Sequence, residues 1–415
     1  MENRRSVLLV TILSLLVVMA VLGILWANFR FALNNPGGGN FLSAWVGTRY
    51  FLLNEWSPYS DQTSQMIKTV AEGSNVVNED SMFFVYPFYS ILLFAPFSLI
   101  GNYEIARSLW MMGLQLALLS ITGYSLSLTK WKPQIWLVAI FLLFSLFWFH
   151  GLGPTISGDA SILVTLFLTF ALVSIQREND IAAGIWFALS TIKPQMVALI
   201  IPLAVLWTIS RKRWRLLTSF FSVTLILTTI FSFLIPNWIF QNLYQILALP
   251  ANSAIGIPRE IFSKWIPGIG NQLGWLLTIS LALILIVEWR AVINKEFYWF
   301  FWTSSLTLVV TNLVGIPTAT DNYVVMIPAL VLLVSLMNKR WGRRGSWLIL
   351  LNLIILLVGL WIIFLSSLEY HGQLLQSSIM FFPLPVYLLI MLYWLRWWAI
   401  KPPRVLVDQI RTFIG

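Results

Sequence analysis

The chain has 415 residues, of which 59% are apolar and only 10% charged, with no cysteine and two histidines. These proportions exclude a soluble domain, a disordered chain and a nucleic-acid binder, and the lack of cysteine excludes disulfides, thiol catalysis and thiolate-bound metals. About 245 apolar residues supply about twelve spanning helices at roughly 20 each, and the net charge of +10 then reads as the basic bias of cytoplasmic loops rather than a patch for acidic partners.

The first predicted span, about 7–27, follows Arg4 and Arg5 and reads as a retained anchor with its N-terminus inside. Residues 28–104 form a long outer loop carrying PGGGN, NEWSPYSDQ and AEGSNVVNEDS, with two amphipathic stretches near 41–54 and 61–71 suited to the membrane surface. Within this loop the run 83–100 contains Pro87 and Pro96 and no charge. If it crossed the membrane, Lys130 and Lys132 would fall outside; as an interfacial helix on the outer face it leaves every basic loop inside. The later spans are then about 105–128, 134–149, 161–175, 181–192, 195–209, 216–236, 273–289, 296–313, 322–337, 347–368 and 377–398. On this threading 19 of the 26 basic residues are cytoplasmic, among them Arg211, Lys212, Arg213, Arg215, Lys339, Arg340, Arg343 and Arg344. Ten of the 16 acidic residues lie outside. The expected architecture is an all-α polytopic membrane protein, residues 1–415 forming one integral-membrane domain. Both termini are cytoplasmic, and two long extracytoplasmic loops, 28–104 and 237–272, carry interfacial helices.

Spans 181–192 and 195–209 are short and meet at Lys193-Pro194-Gln195 without a hydrophilic loop. That hairpin holds a lysine at or below the outer surface, where its charge needs an anion or a path to the headgroups. Asp159, in SGDAS at the mouth of a span, is either a helix N-cap or an acid facing the outer loop. Asp61 stands before an amphipathic stretch and has the same two readings. Arg49, in a stretch with Trp45, Tyr50 and Trp56, either binds an anion or anchors an interfacial helix. Most of the 22 tryptophans sit at span ends as an aromatic belt, whereas Trp238 and Trp265 fall in the second long loop and are candidates for stacking on a sugar. His150 ends a span close in sequence to SGDAS and either makes a structural hydrogen bond or assists in sugar binding. His150 and His371 are too far apart to form a local metal motif. Asp321 and Asn322 stand at the outer end of a late span as caps or acceptor-side groups.

The order of a long first outer loop, the hairpin AGIWFALSTIKPQ followed by RKRWR, and a second long outer loop after the seventh span resembles the GT-C class of integral-membrane glycosyltransferases. Within it the chain resembles glycosyltransferase family 87, the polyprenyl-phosphate-mannose-dependent mannosyltransferase-like proteins. The segments that carry the likeness are GGGNFLSAWVGTRYFLLNEWSPYS, FVYPFYSILLFAPFSLI, ISGDASILVTLFLTFAL, AGIWFALSTIKPQMVALIIPL and GIPTATDNYVVMIPAL. They cover most of the first 210 residues and one later patch.

The resemblance implies inverting transfer of a hexose, mannose by default, from a polyprenyl-phosphate-sugar donor to a lipid or glycan acceptor at the extracytoplasmic face of the plasma membrane. It implies a monomer among membrane lipids, with no cofactor, no metal and no nucleic acid. The donor phosphate falls to Lys193, Gln195 and Arg49, and Tyr86 shapes the cavity roof. The class places a catalytic Asp in the first outer loop, and here that position is Asn40. An amide accepts no proton near neutral pH. Either the chain is a catalytically impaired homologue that binds lipid-phosphate, or another outer carboxylate acts, Asp159 first and Asp61 after it. A polytopic transporter or lipid flippase is the alternative of another kind. Against it, the two halves show no internal repeat and few ionisable groups fall at mid-membrane.

Overall fold

The computed structural model describes residues 2–73, 83–247, 256–366 and 378–400. Residues 74–82 and 248–255 of the two predicted outer loops, His371 and the C-terminal stretch 401–415 lie outside the described residues. In chain order the helices are α1 (Glu2–Asn34), α2 (Gly39–Asn54), α3 (Asp61–Gly73), α4 (Ile91–Ser98), α5 (Tyr103–Leu128), α6 (Ile135–Phe147) and α7 (Phe149–Ser157). Next come α8 (Ser161–Gln176), α9 (Asp180–Ser190), α10 (Pro194–Val197), α11 (Ile200–Ser210), α12 (Trp214–Leu234) and α13 (Trp238–Leu247). The last are α14 (Pro258–Trp265), α15 (Gly270–Ala291), α16 (Phe297–Thr311), α17 (Ile327–Ser366, interrupted at Gly342), α18 (Pro383–Trp394) and α19 (Arg396–Ile400). Among the described residues the one extended pairing is an isolated antiparallel bridge between Gly256 and Thr318.

Among the described residues five helical segments are long and apolar enough to cross a membrane: Tyr103–Leu128, Trp214–Leu234, Gly270–Ala291, Thr320–Gly342 and Arg344–Ser366. The bent pair α6 and α7 makes six if it counts as one span. Twelve were expected. The difference lies in helices such as α9, whose 11 residues rise only about 17 Å against a hydrocarbon core of roughly 30 Å. Apolar side chains point outward from the long helices: Phe233 on α12 is 83% exposed, and Leu276 on α15 and Leu351 on α17 are also exposed. Such faces need lipid around them.

Two local expectations change. The stretch 41–54 does not lie on a surface as an amphipathic helix, because Gly39 and every residue from Phe41 to Thr48 in α2 are buried. Small residues allow this: a Cβ on Gly47 would stand 2.7 Å from Cδ2 of Phe84. The predicted span 134–149 breaks at Trp148, whose backbone is extended (φ −68°, ψ 156°), and the helix bends by 46° and continues to Ser157. Gly151 permits the tight passage, since a Cβ there would strike the Ser145 carbonyl oxygen. The run 83–100, expected not to cross, holds a 3-10 turn, Phe88–Ser90, and the eight-residue α4, about 17 Å of helix together and too short to cross.

The chain divides into two compact units, one of Met1–Leu116, Thr155–Asp159 and Leu234–Pro250, the other of Ala117–Pro154, Ala160–Phe233 and Ala251–Gly415. In the first, α1 and α5 are joined by a reciprocal amide pair, Asn28 to Gln115 at 2.9 Å and back at 3.2 Å. Helix α13 turns a polar side inward: Nδ2 of Asn242 donates to the carbonyls of Val85 (3.0 Å) and Tyr86 (3.1 Å), and Nε2 of Gln245 to that of Tyr59 (2.9 Å). Its apolar residues Phe240 and Leu243 are exposed. In the second unit α16 is buried on every side from Phe300 to Thr311. Helices α9 and α12 cross backbone against backbone, because Gly184 leaves no room for a Cβ beside Leu216 O (2.6 Å) and Phe220 N (2.7 Å). In the RKRWR turn, Arg213 forms an ion pair with Asp180 and donates to the Ile175 carbonyl at the end of α8.

Candidate functional site

In the first unit, one face of α5 organises the site. Tyr103, Arg107 and Trp110, spaced i, i+4 and i+7, project together from the helix. Tyr103 donates its hydroxyl to the carbonyls of Gly37 (3.0 Å) and Gly38 (3.1 Å). Arg107, only 2% exposed, donates to the carbonyls of Asn35 (2.8 Å) and Ile156 (3.2 Å). Trp110 Nε1 donates to the Gly158 carbonyl at 2.9 Å. Two chain segments, 35–38 and 156–158, are thereby fastened side by side. The approach is close enough to demand glycine: Gly38 has a left-handed backbone (φ 76°), and a Cβ there would meet Arg107 Nε at 2.6 Å. Phe41 packs into the same face, stacked on Trp110 at 5.2 Å.

This clamp produces a 3.0 Å hydrogen bond from Nδ2 of Asn40 to Oδ2 of Asp159. Asn40 lies in the first turn of α2, so the carboxylate bonded to it meets the positive end of that helix. Asp159 is 4% exposed. The N-cap position of α8 falls on Ala160. An amide and a buried carboxylate, 119 residues apart, thus share one locus.

The second unit holds a separate polar chain. Lys193, 7% exposed, donates from Nζ to Oδ1 of Asn322 at 2.7 Å. Asn322 donates to Thr318 Oγ1 (3.1 Å), and Thr318 to Oδ1 of Asn312 (3.0 Å). The Thr318 carbonyl accepts from Gly256 N at 2.7 Å, which ties the second long loop to this chain. His150 is fully buried, with Nδ1 2.9 Å from the Thr320 carbonyl. A carbonyl only accepts, so Nδ1 carries the hydrogen and the lone pair sits on Nε2, a buried nitrogen with no partner among the described residues. Asp321 accepts at its backbone carbonyl from Ser161 Oγ at 3.0 Å.

The other residues singled out by sequence have different surroundings. Arg49 donates to the Ser98 carbonyl (2.8 Å) and lies over the Trp45 ring, so it ties α2 to the end of α4. Asp61 is exposed in the first turn of α3, where Ser60 Oγ accepts from Thr63 N. Tyr86 is buried, and its carbonyl accepts from the Tyr59 hydroxyl at 2.6 Å. Burial raises the Tyr59 phenol well above its usual range, so it stays a neutral donor. Trp238 is buried edge-on against Tyr89, which removes it as a sugar platform. Trp265 is exposed near Phe382, and half-buried Gln195 makes no hydrogen bond among the described residues.

The family model of glycosyltransferase family 87 matches residues 84–317, more than half of the chain. The chain belongs to glycosyltransferase family 87. With its outward-facing apolar helices it is a membrane glycosyltransferase. No curated protein and no solved structure matches it. The family 87 match takes in Asp159, Lys193, His150 and the second long loop, which the quoted segments did not cover, and begins after Asn40, Arg49 and Asp61. Sequence reasoning missed Tyr103, Arg107 and Trp110. The available signal was an arginine and two aromatic residues on one face at the start of an otherwise apolar helix.

Proposed function

We propose that this family 87 glycosyltransferase is an inverting hexosyltransferase. It carries mannose from a polyprenyl-phosphate-linked donor to a lipid or glycan acceptor at the extracytoplasmic face of the plasma membrane, through a GT-C-type fold of about twelve spans. The observation that supports it is the Asn40–Asp159 hydrogen bond: where the amide stands in place of an acid, a carboxylate is held at its side. In the proposed step Asp159 takes the proton of the acceptor hydroxyl as that oxygen attacks C1 of the sugar from the face opposite the phosphate. The bond from C1 to the phosphate oxygen breaks, and polyprenyl phosphate leaves with the electron pair. Asn40 orients the carboxylate and takes no proton. A donor with a single phosphate needs no metal bridge.

Lys193 is the proposed cation for the donor phosphate, a charge-assisted contact. Lys193→Ala is expected to weaken donor binding by about 10- to 100-fold, the worth of one hydrogen bond to a charged group. Binding of a fluorescent polyprenyl-phospho-mannose to the protein in nanodiscs measures this, and unchanged affinity removes the phosphate role. The function itself is tested by incubating the reconstituted protein with labelled polyprenyl-phospho-mannose and a panel of acceptors. Transfer with inverted anomeric configuration supports the reading, and absence of both transfer and donor binding overturns it. Donor binding without transfer identifies the impaired lipid-phosphate-binding homologue that Asn40 permits.

A further inference from the structure

Residues 338–346 turn the chain between the segments Thr320–Gly342 and Arg344–Ser366. The helix is broken at Gly342, whose backbone (φ 55°, ψ −128°) is one that a side chain resists. Asn338 fixes it: Nδ2 donates to the Gly342 carbonyl (3.3 Å) and Ser346 Oγ (3.1 Å), while Oδ1 accepts from Trp131 Nε1 at 3.0 Å. Lys339 Nζ donates to the Thr129 carbonyl at 3.2 Å. A turn carrying Lys339, Arg340, Arg343 and Arg344 and no acid is therefore held in place.

On this turn Arg340 is surrounded by indoles. Its guanidinium carbon lies 3.8 Å from the ring centroid of Trp398, 4.7 Å from that of Trp341 and 5.5 Å from that of Trp394. It makes no hydrogen bond to any described residue. A guanidinium stacked on aromatic faces keeps its rim of N–H donors for a planar or tetrahedral anion, and phosphate suits that fork. Lysine and arginine beside span ends meet anionic headgroups at this depth, where tryptophan also concentrates. From the turn, the second half of α17 presents exposed Trp347, Leu351 and Ile355 at helical spacing, a stripe suited to acyl chains.

We propose that Arg340, caged by Trp341, Trp394 and Trp398, is a binding site for the phosphate headgroup of an anionic phospholipid in the leaflet at this turn, which the charge threading makes cytoplasmic. The site is independent of the proposed sugar transfer. Its test is native mass spectrometry of the full chain in detergent, titrated with phosphatidylglycerol and with phosphatidylcholine. The native protein is expected to retain phosphatidylglycerol about five- to tenfold better, and Arg340→Ala to lose that preference. Arg340→Lys keeps a cation but not the stacked fork and is expected to retain only part of it. Lys212→Ala, on another basic turn, leaves it unchanged. Equal retention of the two lipids by the native chain, or an undiminished preference in Arg340→Ala, overturns the proposal. So does competition by inorganic phosphate at the lipid's own concentration, which would mark a site for the free anion.

Discussion

Asp159→Asn is expected to slow transfer by about 10²- to 10⁴-fold, the usual worth of a positioned general base, with donor binding and folding retained. The substitution is nearly isosteric, and the new amide can still offer its oxygen to Nδ2 of Asn40, so the 3.0 Å hydrogen bond survives while the proton acceptor is lost. The clamp from Tyr103, Arg107 and Trp110 acts on backbone carbonyls and is untouched. The measurement is the initial rate of labelled sugar incorporation beside equilibrium donor binding. Asp61→Asn, at an exposed position on α3, serves as the control and should leave the rate unchanged. A full rate in Asp159→Asn would remove the base from this residue without disturbing the family assignment.

Glu288→Ala is expected to destabilise the protein by about 3 kcal/mol, the lower end of the cost of breaking a buried ion pair. Glu288 on α15 is 6% exposed; Oε2 lies 2.8 Å from Arg396, and Tyr393 donates to Oε1 at 3.3 Å. Arg396 lies 5.2 Å from the Trp302 ring centroid, and its Nε is buried without a hydrogen bond among the described residues. Removing the carboxylate strands that guanidinium. The lower figure applies because the Arg396 side chain is 37% exposed and partly hydrated. Thermal unfolding in detergent measures the loss. The double variant Glu288→Ala/Arg396→Ala should recover part of it, since it removes the stranded charge as well. An unchanged midpoint in Glu288→Ala would show the pair to be neutral.

Local features of the fold were legible in sequence, and features made by distant contacts were not. Among the described residues each predicted span falls on one or more helices, because apolar runs bounded by charge and glycine report helix positions well. The short hairpin was legible too: spans 181–192 and 195–209 around Lys193 were expected to be short, and α9 and α11 are 11 residues each. The bend at Trp148 was hidden because the run 134–149 is apolar on both sides of it. The buried state of α2 was hidden too, since it depends on Phe84 lying over Gly47. At the candidate site, an Asp in SGDAS and an Asn where an acid was expected could be named separately. Their hydrogen bond spans 119 residues, and that from Lys193 to Asn322 spans 129. No local pattern encodes either. Arg107 was missed for a related reason, because its partners are backbone carbonyls, which leave no mark on side-chain chemistry.

The central claim is that a chain with Asn40 in the acid position is still a transferase. The rate of sugar transfer by the native protein, measured beside Asn40→Asp under identical reconstitution, tests it most directly. The account predicts that the native chain transfers and that Asn40→Asp is no faster, because a second carboxylate beside Asp159 sets two negative charges against each other. An inert native chain, with transfer appearing only in Asn40→Asp, would contradict it.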